Sequence, residues 1–206
     1  RCDAGEATHV CQLVARAPPL AGVWHTAGVL ADGVLSAQGA AALACVCAPK
    51  AHGAWTLQRA CAPMRVRILA LFSSVAALLG GAGQANYSAA NSCLDALASG
   101  RRAYGSTATS VEWGAWAEVG MAARGAASER MAAAEAAAGF ARIGLAQGLR
   151  ALGIATRQVL LSVLGVLPVT WSRCWGAEAP AFLAAFASLS KDAVLARSAS
   201  VPTACG

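Results

Sequence analysis

Charge is scarce in these 206 residues: 13% are Asp, Glu, Lys or Arg, against 57% hydrophobic residues. With a mean hydropathy of +0.53, the chain has ample apolar surface to bury, which excludes intrinsic disorder. Long apolar runs are missing too. The longest, 68–79 and 159–169, are broken by Ser73 and Ser74 and by Ser162, Gly165 and Pro168. Both fall short of the roughly 20 residues that a membrane-spanning helix needs. Much of the hydrophobic total is alanine, which favours helices and close packing without marking a membrane protein. The chain opens Arg1-Cys2-Asp3, with neither a basic-then-apolar leader nor an initiator Met. The expectation is a soluble protein with a buried sheet, whose start lies upstream.

Blocks of like charge are absent. Sixteen basic and ten acidic residues give a net charge of +6, but the arginines stand as singles and pairs (Arg65, Arg67, Arg101, Arg102) with few aromatics between them. A nucleic-acid surface clusters its charge; this mild positive field suits an anionic cofactor or an acidic carrier equally well. The eight cysteines form no Cys-x-x-Cys pair, Cys45-x-Cys47 alone is a poor zinc half-site, and His9, His25 and His52 share no ligand spacing. No metal site is expected, and the cysteines read as reduced, small, buried hydrophobes.

What is present is alternation. Residues 20–30 read as a short buried strand ending in a turn at Gly28, followed by a helical stretch from Ala37 to about Ala62 with Pro49 interrupting it. Residues 67–73 form a continuous apolar run bounded by polar residues, the signature of a central parallel strand. Gly80, Gly81 and Gly83 mark a loop, a strong helix follows over 85–103 with Gly105 closing it, and 107–113 is β-rich. Strand and helix in turn predict parallel βαβ units in a doubly wound α/β sheet. Beyond Gly120 the pattern weakens: 121–138 suggests a mobile helical lid, 140–153 a helix, and 158–169 one or two strands around Gly165. The tail, 188–206, resembles a linker.

Tyr87 opens the best helix, directly after the glycine loop that follows the best strand, at the sheet edge where open α/β folds bind their ligands. Ser74 ends that strand 13 residues earlier, and Asn91 stands one helical turn beyond Tyr87 on the same face. Two hydroxyls and an amide can thus face one cleft, although a packed helix-start tyrosine with an ordinary polar cluster would look the same.

Ser74, Gly83-Gln-Ala-Asn-Tyr-Ser-Ala-Ala-Asn91 and Trp113-Gly-Ala-Trp-Ala-Glu-Val-Gly-Met121 resemble the ketoreductase domain of modular type I polyketide synthases, within the short-chain dehydrogenase/reductase superfamily. His25-Thr-Ala-Gly-Val-Leu30 and Ala48-Pro-Lys-Ala-His-Gly-Ala-Trp55 are similar to the same family's upstream segments, in order, over residues 1–187. The superfamily's Tyr-x-x-x-Lys is Tyr87-Ser-Ala-Ala-Asn91 here. In these ketoreductases lysine and asparagine exchange places, which puts the lysine at Lys50, 37 residues before Tyr87; the only other lysine is Lys191.

The resemblance implies NADPH-dependent reduction of a β-ketoacyl thioester during polyketide or fatty acid-like biosynthesis. The thioester would be presented on the phosphopantetheine of an acyl carrier protein, among neighbouring synthase domains, without nucleic acid or membrane. The implied location is the cytoplasm, or a plastid if the chain is part of an algal-type synthase. Tyr87 would give the proton, its pKa lowered from near 10 by Lys50. Ser74 would orient the carbonyl, and Asn91 would position Lys50 or a relay water. The resemblance also implies cofactor contacts at Asp3, Ala27, Gly28, Gly114, Trp116 and Met121. Stereocontrol would lie at Asp32 and Leu79: Leu30-Ala31-Asp32 stands where B-type members carry Leu-Asp-Asp, and Leu79 where A-type members carry tryptophan, a lean to B type.

The glycine-rich turn that cradles the pyrophosphate in this superfamily is not found before His25, nor is an arginine for the 2′-phosphate. The expectation is the C-terminal two thirds of a reductase subdomain, lacking the phosphate-binding βαβ part. Freestanding, it should bind cofactor poorly and expose a sheet edge. A non-catalytic structural or docking remnant of a ketoreductase is the alternative.

Overall fold

In the central strand, β2 (Ile68–Ser74), apolar side chains point to both faces, so it can be stable only with a strand on each side and helices above or below. The computed structural model, which describes residues 2–64, 66–121, 128–157, 161–174, 181–183 and 186, supplies them. The sheet has four parallel strands in chain order: β1 (Gly22–His25), β2, β3 (Thr109–Trp113) and β4 (Val163–Val166). Its register pairs His25 with Leu71, Ser74 with Trp113 and Trp113 with Val166. That alignment brings the carboxyl ends of all four strands to one edge. β3, buried along its whole length, carries three polar side chains, Thr109, Ser110 and Glu112, into the interior.

The helices follow from where small and apolar residues recur. In α5 (Ala85–Ala103), residues 87, 90, 91, 94 and 98 are buried, the spacing of a single helical stripe. Leu94 and Ala98 pack with Leu69, Leu71, Ala54 and Ala108. At its far end the Arg102 Nε donates to the Ala108 carbonyl at 2.7 Å, clamping the helix to the start of β3. Between β1 and β2 run a 3₁₀ turn (Leu35–Ala37), α2 (Ala40–Cys47), one π-helical turn (Ala48–His52) and α3 (Gly53–Cys61). Pro49 therefore does not break the helical path but widens one turn of it. The sequence reading passes over α1 (Ala7–Arg16), whose Val10 and Val14 pack with Cys61, and over the single turn of α4 (Ala76–Leu79).

The described chain divides into two compact units, 1–114 with 146–166, and 115–145 with the described residues beyond 166. The first contains the whole sheet. The second contains α6 (Ser128–Ala137), α8 (Trp171–Cys174), an Arg142–Glu135 ion pair at 2.9 Å, and isolated bridges from Trp116 to Ile143 and from Phe140 to Val169. Those bridges hold 140–143 in extended form, so the helix expected over 140–153 begins later, as α7 (Leu145–Thr156). Residues 122–127 of the expected lid, 158–160 of the expected strand region and the tail 188–206 lie outside the described residues. Cysteines 2, 11, 45, 47, 61, 93 and 174 are free, and only Cys61 is buried; Cys2, Cys11, Cys45 and Cys93 are exposed, contrary to their reading as core hydrophobes. Among the described residues, no helix is long and apolar enough to cross a membrane and no cluster of His, Cys, Asp or Glu could hold a metal.

Candidate active site

Lys50 is the least expected side chain to find inside a protein, yet only 3% of its surface is exposed. It sits in the π-helical turn, its Nζ donating to the Phe72 carbonyl at 2.9 Å and lying 5.1 Å from the centre of the Tyr87 ring. Burial lowers its pKa to about 8, although the Asp95 carboxylate works in the opposite direction. The Lys50 carbonyl accepts a hydrogen bond from His25 Nε2 at 3.0 Å, tying the wide turn to the end of β1. His25 is buried and its pKa is lowered, first by that burial, so the ring is neutral at pH 7.

Tyr87 is the third residue of α5 and is buried. Desolvation raises the pKa of its phenol; Asn91 and Ser74 pull it back down, and Asp32 adds to the rise. The lowering expected from Lys50 is not found: burial sets a raised pKa, and the phenol is a protonated donor at neutral pH. Asn91, fully buried, donates from Nδ2 to the Tyr87 carbonyl at 2.8 Å, and its Oδ1 has no partner among the described residues. Ser74 closes β2, and its Oγ accepts the Ala76 N–H at 3.2 Å.

The remaining residues of the resemblance divide. Gly28 is in the site: a β-carbon there would lie 2.9 Å from the Lys50 Cε. Its observed role is to make room for the lysine. Ala27 is half-buried beside it. Gly114 is buried just past β3, its N–H bonded to the Val166 carbonyl. Asp32 is exposed and accepts from Gln84 Nε2 at 3.2 Å, and Leu79 ends α4 half-buried. Asp3 is exposed and turns its Oδ1 back to the Gly5 N–H. Trp116 and Met121 belong to the second unit, the former half-buried and the latter exposed.

Sequence reasoning missed three contributors. His25 was visible only as part of a matching segment. Gln38 gave no signal at all. The third is a pair of carboxyl groups between α5 and β3: Ser110 Oγ donates to Asp95 Oδ1 at 2.6 Å, and burial, with Asp95 beside it, pushes the Glu112 carboxyl up to about 7.

The fit to a dinucleotide is one-sided. The open acceptor of Asn91 and the buried ammonium of Lys50 suit the reacting end of a nicotinamide. The glycine loop before α5 does not suit phosphates, because the first N–H groups of the helix are already bonded: Asn86 N–H to Gln38 Oε1 and Tyr87 N–H to Asn86 Oδ1. Among the described residues no other glycine-rich strand-to-helix turn offers a cradle.

Four parallel strands in chain order, with helices on the crossovers, make this a Rossmann-like fold of the short-chain dehydrogenase/reductase kind. The sequence profile described as KR domain matches residues 1–118. Polyketide synthase GfsA of Streptomyces halstedii is 47% identical over 122 residues, which is 58% of this chain and 2% of the synthase. The phthioceranic/hydroxyphthioceranic acid synthase of Mycobacterium tuberculosis is 47% identical over 111 residues, 54% of this chain and 5% of that one. Among solved structures, an A-type ketoreductase from a modular polyketide synthase matches with a TM-score of 0.82 at 30% identity, covering 93% of this chain and 41% of that chain. The first ketoreductase of the tylosin polyketide synthase gives 0.74 at 36% identity, covering 84% and 37%. The chain belongs to the KR-domain family, that of the ketoreductases of modular polyketide synthases. It spans less than half of these solved ketoreductases and a small fraction of the synthases.

Proposed function

We propose that this chain is the substrate-side portion of a β-ketoacyl reductase, which uses NADPH to reduce a carrier-bound β-ketoacyl thioester to the β-hydroxyacyl thioester. The observation that carries the reading is the buried Lys50 ammonium, 5.1 Å from the Tyr87 ring centre, at the sheet edge where Ser74 ends β2. A buried cation beside a buried phenol is costly to fold, and proton delivery gives it a purpose.

The nicotinamide would supply a hydride to the β-carbon of the ketone. Ser74 uses its lone pair on the Ala76 N–H, which leaves its proton to hold the substrate oxygen where negative charge develops. Tyr87, kept protonated by burial, gives its proton to that oxygen, and the bond formed is the new hydroxyl. The phenolate left behind is stabilised by the neighbouring ammonium. With a pKa of about 8, Lys50 can return a proton and be refilled near neutral pH. Asn91 Oδ1 accepts from the ammonium or from a relay water. Gly28, Ala27, Gly114, Trp116 and Met121 are the candidates to touch the nicotinamide and its ribose, Asp3 the adenine end, and Asp32 and Leu79 the stereochemical course, with the lean to B type. The partners on this reading are an acyl carrier protein and neighbouring synthase domains. The bacterial relatives support a cytoplasmic setting, and nothing supports a plastid.

The alternative is a non-catalytic structural or docking remnant of a ketoreductase within a larger synthase. One experiment separates them. In the synthase module that contains this chain, Tyr87→Phe should slow NADPH-dependent β-ketoreduction by roughly 10² to 10⁴, the usual contribution of general acid catalysis. A variant as fast as its parent overturns the assignment of Tyr87. A parent module that leaves the β-ketone untouched points to the remnant.

A further inference from the structure

Five hydrogen bonds stitch the loop after β1 to the loop before α5 and the first turn of that helix, and one side chain makes two of them and a third within its own loop. Gln38 Nε2 donates to the Gly33 carbonyl at 2.8 Å and to the Gly83 carbonyl at 2.9 Å, while its Oε1 accepts the Asn86 N–H at 3.2 Å. Gly33 N–H donates to the Gly83 carbonyl at 2.9 Å, Asn86 Nδ2 to the Ala31 carbonyl at 2.8 Å, and Gln84 Nε2 to Asp32 Oδ2 at 3.2 Å. The turn that brings the two backbones together places Gly83 at φ of +74°, in the left-handed region that favours glycine.

The chemistry of this clasp is specific to an amide. Helix α5 has no side-chain cap at its own N-cap residue, Gln84. An acceptor is needed for a first-turn N–H, and donors are needed for two loop carbonyls. Only a primary amide offers both from one side chain. Gln38 thus serves as an external cap for the helix that carries Tyr87 in its first turn, and with the same group it holds the strand-end loop that carries Asp32. Asp32 acts electrostatically on the Tyr87 phenol, so the separation of these two loops matters to the reacting group.

We infer that Gln38 is a positioning residue of the reductase site, fixing segment 31–33 against the first turn of α5 and so setting how the substrate's β-carbonyl is presented to Tyr87. The inference rests on the ketoreductase reading above. It makes Gln38 a determinant of substrate fit and facial selectivity and leaves the proton transfer itself to Tyr87 and Lys50.

The test uses the intact synthase module carrying Gln38→Leu, which keeps the bulk and removes all three hydrogen bonds. Two readouts are taken together: hydrogen exchange by mass spectrometry on peptides spanning 29–38 and 80–90, and β-ketoreduction with the product epimers resolved. The expected result is exchange at least tenfold faster in both peptides, KM raised five- to tenfold, kcat within about threefold of the parent, and an eroded epimer ratio. Unchanged exchange overturns the clasp. Faster exchange with KM and epimer ratio unchanged overturns the positioning role, as does a fall in kcat at constant KM. If Gln38→Leu does not fold, Gln38→Glu is judged by the same outcomes, since it keeps the acceptor for Asn86 and loses both donors. A parent module with no reductase activity refutes the ketoreductase reading itself, and that result is distinguishable from an active parent indifferent to the substitution.

Discussion

A single methyl group measures how tightly Lys50 is held. A β-carbon added at Gly28 would stand 2.9 Å from the lysine's Cε, well inside the contact distance of two carbon atoms. The backbone there is not in the left-handed region, so alanine brings no strain of its own. Gly28→Ala should therefore displace the ammonium from the Phe72 carbonyl and lower kcat by about 10- to 100-fold, the scale on which a misplaced catalytic group is felt. Circular dichroism of the variant should match the parent; a variant with parental kcat would show that Lys50 tolerates the shift. Sequence reasoning reached Gly28 for a different reason, as a point of backbone approach to a ribose. It picked out Lys50, Ser74, Tyr87 and Asn91 because they recur in a recognisable order. It could not reach the bond from His25 to the Lys50 carbonyl or the three bonds of Gln38, because partners 25 and 45 residues apart are brought together only by the completed fold.

Where helix α5 meets strand β3, a glutamate faces an aspartate out of water. Glu112 is pushed up to about 7 by burial and by Asp95, whereas in the unfolded chain it titrates in the ordinary range, near 4.5. Because the folded pKa is the higher one, the associated stability is complete below about pH 4.5 and is lost as pH rises through about 7. Glu112→Gln imitates the protonated acid and removes that loss. Its unfolding free energy and urea midpoint should exceed the parent's at pH 8, the free energy by an amount on the order of 1 to 3 kcal/mol, and both should converge with the parent's below about pH 4.5. Equal midpoints at both pH values would refute the buried, protonated state. The elements that meet here were legible in sequence: β2 from its unbroken apolar run, β3 from its β-branched and aromatic residues, α5 from its spacing and bounding glycines. α1 was not, because only Val10 and Val14 of its ten residues are buried, too few to mark a periodicity. The π-helical turn was read as a simple interruption, since Pro49 looks the same whether a helix breaks or widens.

The fold of this chain is that of the ketoreductase family, and no glycine-rich phosphate cradle is found among its described residues. Fluorescence titration with NADPH should therefore show binding at least about tenfold tighter, 1.4 kcal/mol or more, when the chain is joined to the sequence that naturally precedes it. Equal affinity with and without that sequence would place the cradle within these 206 residues. The sheet itself carries one further implication. Its spatial order, β1-β2-β3-β4, is the order of synthesis, so each strand lays down the template for the next, and none has to wedge between two partners already joined. Such a sheet can be built from a ribosome one crossover at a time, always by growth at the newest strand. The outer edge of β1 takes no part in that growth and has no strand beside it among the described residues when the last of the four is in place.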